Sequence, residues 1–289
     1  MIDSTVRQQA IELYDRFTHE GMERRAFMAS MTRLAGGVAA ANVLIGSIAA
    51  SPAAAAIVPE DDKRLKTSTI KLLDNRYTAY VAEPRARRAR STVLVIHENR
   101  GLNAHIKDIA RRLALAGHYA VAPDFLSPSG GTPADEDAAR AAIGKLDLGA
   151  ATAAGVEMLD ALEDRTGGNG KVGAVGFCWG GAYVNRLAVA AGDKLDAGVV
   201  FYGTAPDPAE ALRVQAPLMV HLAGLDERVN QSAFPWISAL RAEGRTVTYL
   251  HYDGVNHAFN NDTSAERYDK VAADLAWRRT LRFFRTYLA

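Results

Sequence analysis

One cysteine among 289 residues leaves no partner for an internal disulfide, so no cystine framework holds this chain together. Charge of one sign is equally scarce. With 34 basic and 33 acidic residues the net charge is +1, and nothing in that balance points to nucleic acid or to an anionic membrane. The one basic cluster, Arg85-Ala86-Arg87-Arg88-Ala89-Arg90, reads as a solvated loop between two strands. A long hydrophobic run is missing too. The mildly apolar stretch from Leu34 to Ala50 is short and rich in Gly and Ala, which argues against a membrane-spanning helix. There is no internal repeat.

The single cysteine, Cys178, sits in Gly176-Phe177-Cys178-Trp179-Gly180, directly after the apolar run Val172 to Val175 and before a helix-like stretch. That is a G-x-nucleophile-x-G elbow with a thiol in place of the commoner serine. A sharp strand-to-helix turn forces its central residue into a strained backbone and lets neighbouring chain pass close by, which is what the glycines permit. A lone cysteine more often fills core volume, but the flanking glycines argue against that here. Two partners follow in order. Asp226 comes after the apolar run Leu218 to Leu222, and His257 lies 31 residues beyond it in Gly254-Val255-Asn256-His257-Ala258-Phe259. Nucleophile, acid, histidine is the α/β-hydrolase order. A thiol needs a base to ionise at neutral pH, and the imidazole needs a carboxylate to fix its tautomer and stabilise its cation.

The rest of the chain fits one domain of about 220 residues from Lys66 onward. Strand-like runs at Thr67 to Leu72, Tyr77 to Ala82, Thr92 to His97, Tyr119 to Ala122, Val172 to Val175, Ala197 to Tyr202, Leu218 to Leu222 and Thr246 to Tyr252 make about eight. Ile106, Ile109, Leu113 and Ala116 share a helical face, and similar periods recur near 136–145, 150–163, 181–191, 232–243 and 265–288. Such alternation predicts an α/β fold, a mostly parallel sheet with helices on both faces. The first two strands are joined through Leu73-Asp74-Asn75-Arg76, a hairpin at the sheet edge.

Residues 1–56 read differently from the domain at 57–289. Glu23-Arg24-Arg25-Ala26-Phe27-Met28 resembles a twin-arginine export signal, with the apolar stretch and the run Ser51-Pro52-Ala53-Ala54-Ala55-Ala56 behind it. Cleavage after Ala56 is expected, giving a periplasmic or secreted protein delivered by the twin-arginine machinery, with no stable membrane span afterwards. The alternative is a cytoplasmic protein that keeps an amphipathic N-terminal helix, for which Ile11, Leu13, Tyr14 and Phe17 form a small face.

The set His97-Glu98-Asn99-Arg100-Gly101-Leu102, Gly176-Phe177-Cys178-Trp179-Gly180-Gly181, Gly224-Leu225-Asp226 and His257-Ala258-Phe259 resembles the dienelactone hydrolase family, the carboxymethylenebutenolidases, over about Lys66 to Ala289. The resemblance implies an α/β-hydrolase fold, a small carboxylic ester or lactone as substrate, a catalytic Cys178, Asp226 and His257, and no metal or organic cofactor. It also places Glu98 against the resting thiol, holding it protonated until substrate arrives; a helix cap near Asn103 is the other reading. Backbone N–H groups of Asn99 and Trp179 would form the oxyanion hole. Family members that act on dienelactone clamp its carboxylate with arginines, yet here Pro123-Asp124 is followed by Phe125-Leu126-Ser127-Pro128 and His257-Ala258-Phe259 by Asn260-Asn261-Asp262. Dienelactone itself therefore fits poorly. Phe125, Trp179, Phe234, Trp236 and Phe259 are candidates for an apolar pocket and Arg100 for an anionic group, whereas His97 and His221 read as packing residues. Acyl transfer to an alcohol or amine stays open on the same triad. So does a binding role on a hydrolase scaffold, and redox sensing, for which a resolving cysteine is lacking.

Overall fold

A computed structural model describes residues 4–49, 56–86, 91–165 and 167–289. The chain opens with three helices, α1 (Ser4–His19), α2 (Arg24–Ala35) and α3 (Val38–Ile48). The edge hairpin follows, β1 (Leu65–Leu72) and β2 (Tyr77–Pro84). Leu73, Asp74 and Asn75 turn it with φ of 50°, 53° and 68°, a left-handed run in which Asp and Asn are tolerated. Then come β3 (Thr92–Ile96), α4 (Ala104–Leu115), β4 (Tyr119–Pro123), α5 (Glu136–Ile143), α6 (Leu148–Glu163), β5 (Val172–Phe177), α7 (Trp179–Ala191), β6 (Ala197–Phe201), β7 (Leu218–Ala223), α8 (Glu227–Ala242), β8 (Val247–Tyr252) and α9 (Lys270–Tyr287).

The strands form one 8-stranded sheet in the order β1-β2-β4-β3-β5-β6-β7-β8. Pairing is antiparallel at β1·β2 and β2·β4 and parallel from β4 through β8. All eight strand runs and the helical periods read from the sequence are present, with ends moved by a few residues. The central strands are buried on both faces, as a parallel sheet between helix layers requires. Along β3 the pleat splits the core: Leu94 and Ile96 pack toward α6, α7 and α8, while Val93 and Val95 pack toward α4 and α9.

The N-terminal segment that the sequence sets apart from the fold has a core of its own. Ile11, Leu13, Tyr14 and Phe17 of α1 close on Phe27 and Met31 of α2 and on Leu44 and Ile48 of α3. Phe17 stacks on Phe27 with centroids 4.2 Å apart. This bundle docks on the sheet domain at several points. Asp15 pairs with Arg267 at 3.2 Å, Arg7 with Glu266 at 2.9 Å, and Arg24 with Asp137. Arg140 donates to the Phe17 carbonyl at 2.9 Å, and Ser264 to the Ile48 carbonyl at 2.5 Å. No single helix among the described residues is long and apolar enough to cross a membrane; α2 and α3 meet that standard only as a pair bent by 106°. The expected cleavage run lies mostly outside the described residues, as do 87–90 of the basic cluster.

Candidate active site

Three loops at the carboxyl ends of β5, β7 and β8 converge. Cys178 stands between β5 and α7 with φ 56° and ψ −114°, a conformation that costs a non-glycine residue about 1–3 kcal/mol and persists only where its surroundings impose it. The close approach behind the elbow explains Gly180, where a Cβ would fall on the carbonyls of Ile96 and His97. Cys178 donates its N–H to the Phe201 carbonyl at 3.0 Å, which ties the elbow to β6.

Asp226 is the N-cap of α8, accepting the Val229 N–H at 3.2 Å through one carboxylate oxygen. Through the other it accepts a 2.5 Å hydrogen bond from His257 Nδ1. Leu225 N–H to the Val255 carbonyl, at 3.0 Å, locks the acid loop to the histidine loop. His257 and Asp226 are both buried, and a ring nitrogen of His257 lies within 4.8 Å of Cys178 Sγ. Burial alone would lower the His257 pKa. The carboxylate of Asp226 and the charge of an ionised Cys178 outweigh it and raise the imidazole to about 10. Asp226 shifts the opposite way: burial opposes its charge, but His257 holds it below the usual carboxylate range.

The loop after β3 brings Glu98, Asn99 and Arg100 to the same place. Glu98 accepts from the Asn261 side chain at 2.8 Å, and its other carboxylate oxygen is buried without a partner. It does not cap α4, because Asn103 does so, accepting the Ile106 N–H at 3.1 Å. Nor does that carboxylate bond the thiol. His19 stands there instead, with Nε2 4.0 Å from Sγ. The Trp179 N–H belongs to the first turn of α7, where amides have no intrahelical acceptor. Asn99 donates through its side chain to the Thr18 carbonyl at 3.4 Å.

A cavity of about 330 Å³ opens onto the thiol, lined by Thr18, His19, Asn99, Arg140, Ile143, Leu146, Trp179, Tyr202 and Arg228 among others. Here several sequence expectations need correction. Phe125, Trp236 and Phe259 are buried in the sheet's two cores and do not line it; Trp236 instead donates its indole N–H to Asn185 at 3.2 Å. Arg100 is buried, paired with Glu136 at 3.0 Å and hydrogen-bonded to the Tyr14 hydroxyl; it does not line this cavity but does line a smaller one beside Cys178 and His257. Phe234 is exposed against Tyr249. Only Trp179 of the proposed aromatics faces the cavity. His97 and His221 are packing residues as expected. His97 lies over Trp179, and His221 bridges the Tyr252 and Thr280 hydroxyls at 3.0 and 3.1 Å.

Sequence reasoning misses His19 and Arg228. The apolar face of α1 is visible, but not where it docks; Arg228, two residues after Asp226, has no pattern to mark it. His19, Cys178 and His257 each bring one nitrogen or sulfur atom to within 4.8 Å of the other two.

A thiol on a strained elbow after β5, an acid after β7 and a histidine after β8, on a sheet of this order, define an α/β-hydrolase. More narrowly, the chain belongs to the dienelactone hydrolase family, whose profile matches residues 77–288. A protein of Escherichia coli O157:H7, provisionally named a carboxymethylenebutenolidase, is 30% identical over 256 residues, spanning 83% of this chain and 94% of its own. "Protein usf" of Aquifex pyrophilus is 35% identical over 207 residues, spanning 68% of this chain and 88% of its own. Among solved structures, a provisionally named dienelactone hydrolase of Klebsiella pneumoniae superposes with a TM-score of 0.68 at 26% identity, covering 77% of this chain and 99% of its own. The protein is thus an enzyme of the hydrolase class.

Proposed function

We propose that the protein hydrolyses small carboxylic esters or lactones through a thioester on Cys178. The thiolate attacks the carbonyl carbon, and the tetrahedral oxyanion is met by the backbone N–H groups of Trp179 and Asn99. His257, held charged by Asp226, protonates the departing alcohol, which stays tethered when the substrate is a lactone. Water then cleaves the thioester. The observation that carries this reading is the 2.5 Å bond from His257 to Asp226 beside a thiol at φ 56°. Loss of turnover on aryl esters and small lactones in Cys178→Ala, with an unchanged fold, is the test.

The cavity supports a substrate with a modest apolar body and an anionic end. Ile143, Leu146, Leu148 and Trp179 supply apolar wall, and Arg228 brings a guanidinium whose charge is felt by Asp226 and His19. Arg140, by contrast, is engaged with Phe17 and Asp137. Arg228 therefore offers a cation at a place different from the family's arginine clamp.

Export through the twin-arginine route rests on Arg24-Arg25 and the residues after them. Retention of the segment is supported by its packing on the domain. The two outcomes differ chemically, because cleavage after Ala56 would remove His19 from the site.

A further inference from the structure

His19, the last residue of α1, reaches the reacting groups from outside the family's domain. Its Nε2 lies 4.0 Å from Cys178 Sγ, and its ring meets that of His257 edge-on with centroids 4.8 Å apart. The placement is fixed from several sides. Tyr14 bonds Arg100, Asp15 pairs with Arg267, the Phe17 carbonyl accepts from Arg140, and the Thr18 carbonyl accepts from Asn99.

Two cavities meet at this histidine. The 330 Å³ cavity, large enough for an acyl group, has His19 and Cys178 on its wall but not His257. The second, about 20 Å³, holds roughly one water and is bounded by His19, Cys178, His257 and Glu98. Glu98, on this wall, carries a buried, unpartnered carboxylate oxygen, and His257 Nε2 is likewise buried without a hydrogen bond. The two imidazoles are pushed in opposite directions. Burial, followed by the positive charges of His257, Arg228, Arg267 and Arg100, keeps His19 neutral, whereas Asp226 keeps His257 charged. Neighbouring groups driven apart in this way divide the roles of base and acid between them.

We propose that His19 is a second catalytic histidine, the base that takes a proton from the water attacking the Cys178 thioester. This rests on the thioester reading above. The water oxygen bonds to the carbonyl carbon while one of its protons goes to His19 Nε2. The tetrahedral intermediate collapses, the C–S bond breaks, and its electron pair returns to Cys178 as thiolate. The carboxylic acid formed gives its proton to His257, which had lost one to the alcohol, and His19 releases its own to solvent. The sum is ester plus water to carboxylate, alcohol and one proton.

The test is stopped-flow hydrolysis of p-nitrophenyl acetate by the full chain, with intact-protein mass measured on quenched samples. His19→Gln and His19→Ala are expected to release a first equivalent of p-nitrophenolate at close to the wild-type rate. They should then turn over at least about tenfold more slowly, with an acetyl adduct on Cys178, and added imidazole should restore His19→Ala. Unchanged deacylation in both variants, or equal slowing of both phases without imidazole rescue, would overturn the role of His19 while leaving the thioester intact. Full turnover by Cys178→Ala with no adduct in any variant would defeat the thioester reading, and this one with it.

Discussion

Replacing Asp226 by asparagine separates its two jobs. As N-cap of α8 the residue accepts the Val229 N–H at 3.2 Å, and Asn caps a helix about as well as Asp. As partner of His257 it supplies the charge that, with Cys178, lifts the imidazole from 6.5 to about 10 against the pull of burial. An amide in place of the carboxylate removes the charge and can present an N–H where His257 needs an acceptor, so the imidazolium loses its largest source of stabilisation while burial still opposes it. Loss of a charged triad partner of this kind places the expected fall in kcat/KM at about 10²–10⁴-fold. The assay is initial-rate hydrolysis of a p-nitrophenyl ester at pH 7 beside a thermal melt. Asp226→Asn should lose activity with little change in Tm. Asp226→Ala should lose the same activity and also about 1 kcal/mol of stability with the cap. Activity of Asp226→Asn within about threefold of wild type would refute the assigned pairing.

Other outcomes follow from the same geometry. Arg228→Ala should raise KM for an ester carrying a carboxylate about fivefold while leaving a neutral ester of equal size unchanged, as loss of a partly solvated charge pair predicts; equal KM changes for both would remove Arg228 from substrate binding. Removal of residues 1–56 should leave a folded domain, since the Klebsiella chain spans 77% of this one and is itself 99% covered. That domain should accept bulkier acyl groups but deacylate at least about tenfold more slowly, read by burst kinetics; a truncated enzyme as fast as the full chain would contradict the placement of His19. Because the folded-state pKa of His19 lies well below 6.5, the unfolded chain binds the extra proton first as pH falls. Stability that this neutral histidine contributes above 6.5 is therefore lost on acidification, and the Tm of wild type should fall more between about pH 7 and pH 5 than that of His19→Gln. Parallel Tm curves would count against the neutral state.

Much of this protein is legible in its sequence. The eight strands announce themselves because a buried parallel sheet demands continuous β-branched and apolar runs such as Thr92 to Ile96, and the elbow because few residues other than glycine fit around Cys178. Chain order and the glycines beside them mark Asp226 and His257. The aromatics are harder, because composition does not say which face of an element a ring takes: Phe125 and Trp236 satisfy the core, while Ile143 and Leu146 wall the cavity. His19 escapes for a different reason. Its helix packs through contacts hundreds of residues distant in sequence, Asp15 to Arg267 among them, and its own local pattern matches an export leader equally well. A twin-arginine pair sets no limit on what the preceding helix does.

The central claim is a covalent thioester on Cys178, and rapid quench of the full chain with p-nitrophenyl acetate followed by peptide mass mapping tests it most directly. The account predicts one acetyl group per chain on the peptide that contains Cys178, formed and consumed at rates consistent with turnover, and no turnover in Cys178→Ala. Sustained hydrolysis by Cys178→Ala, with no acetyl group on that peptide, would contradict it.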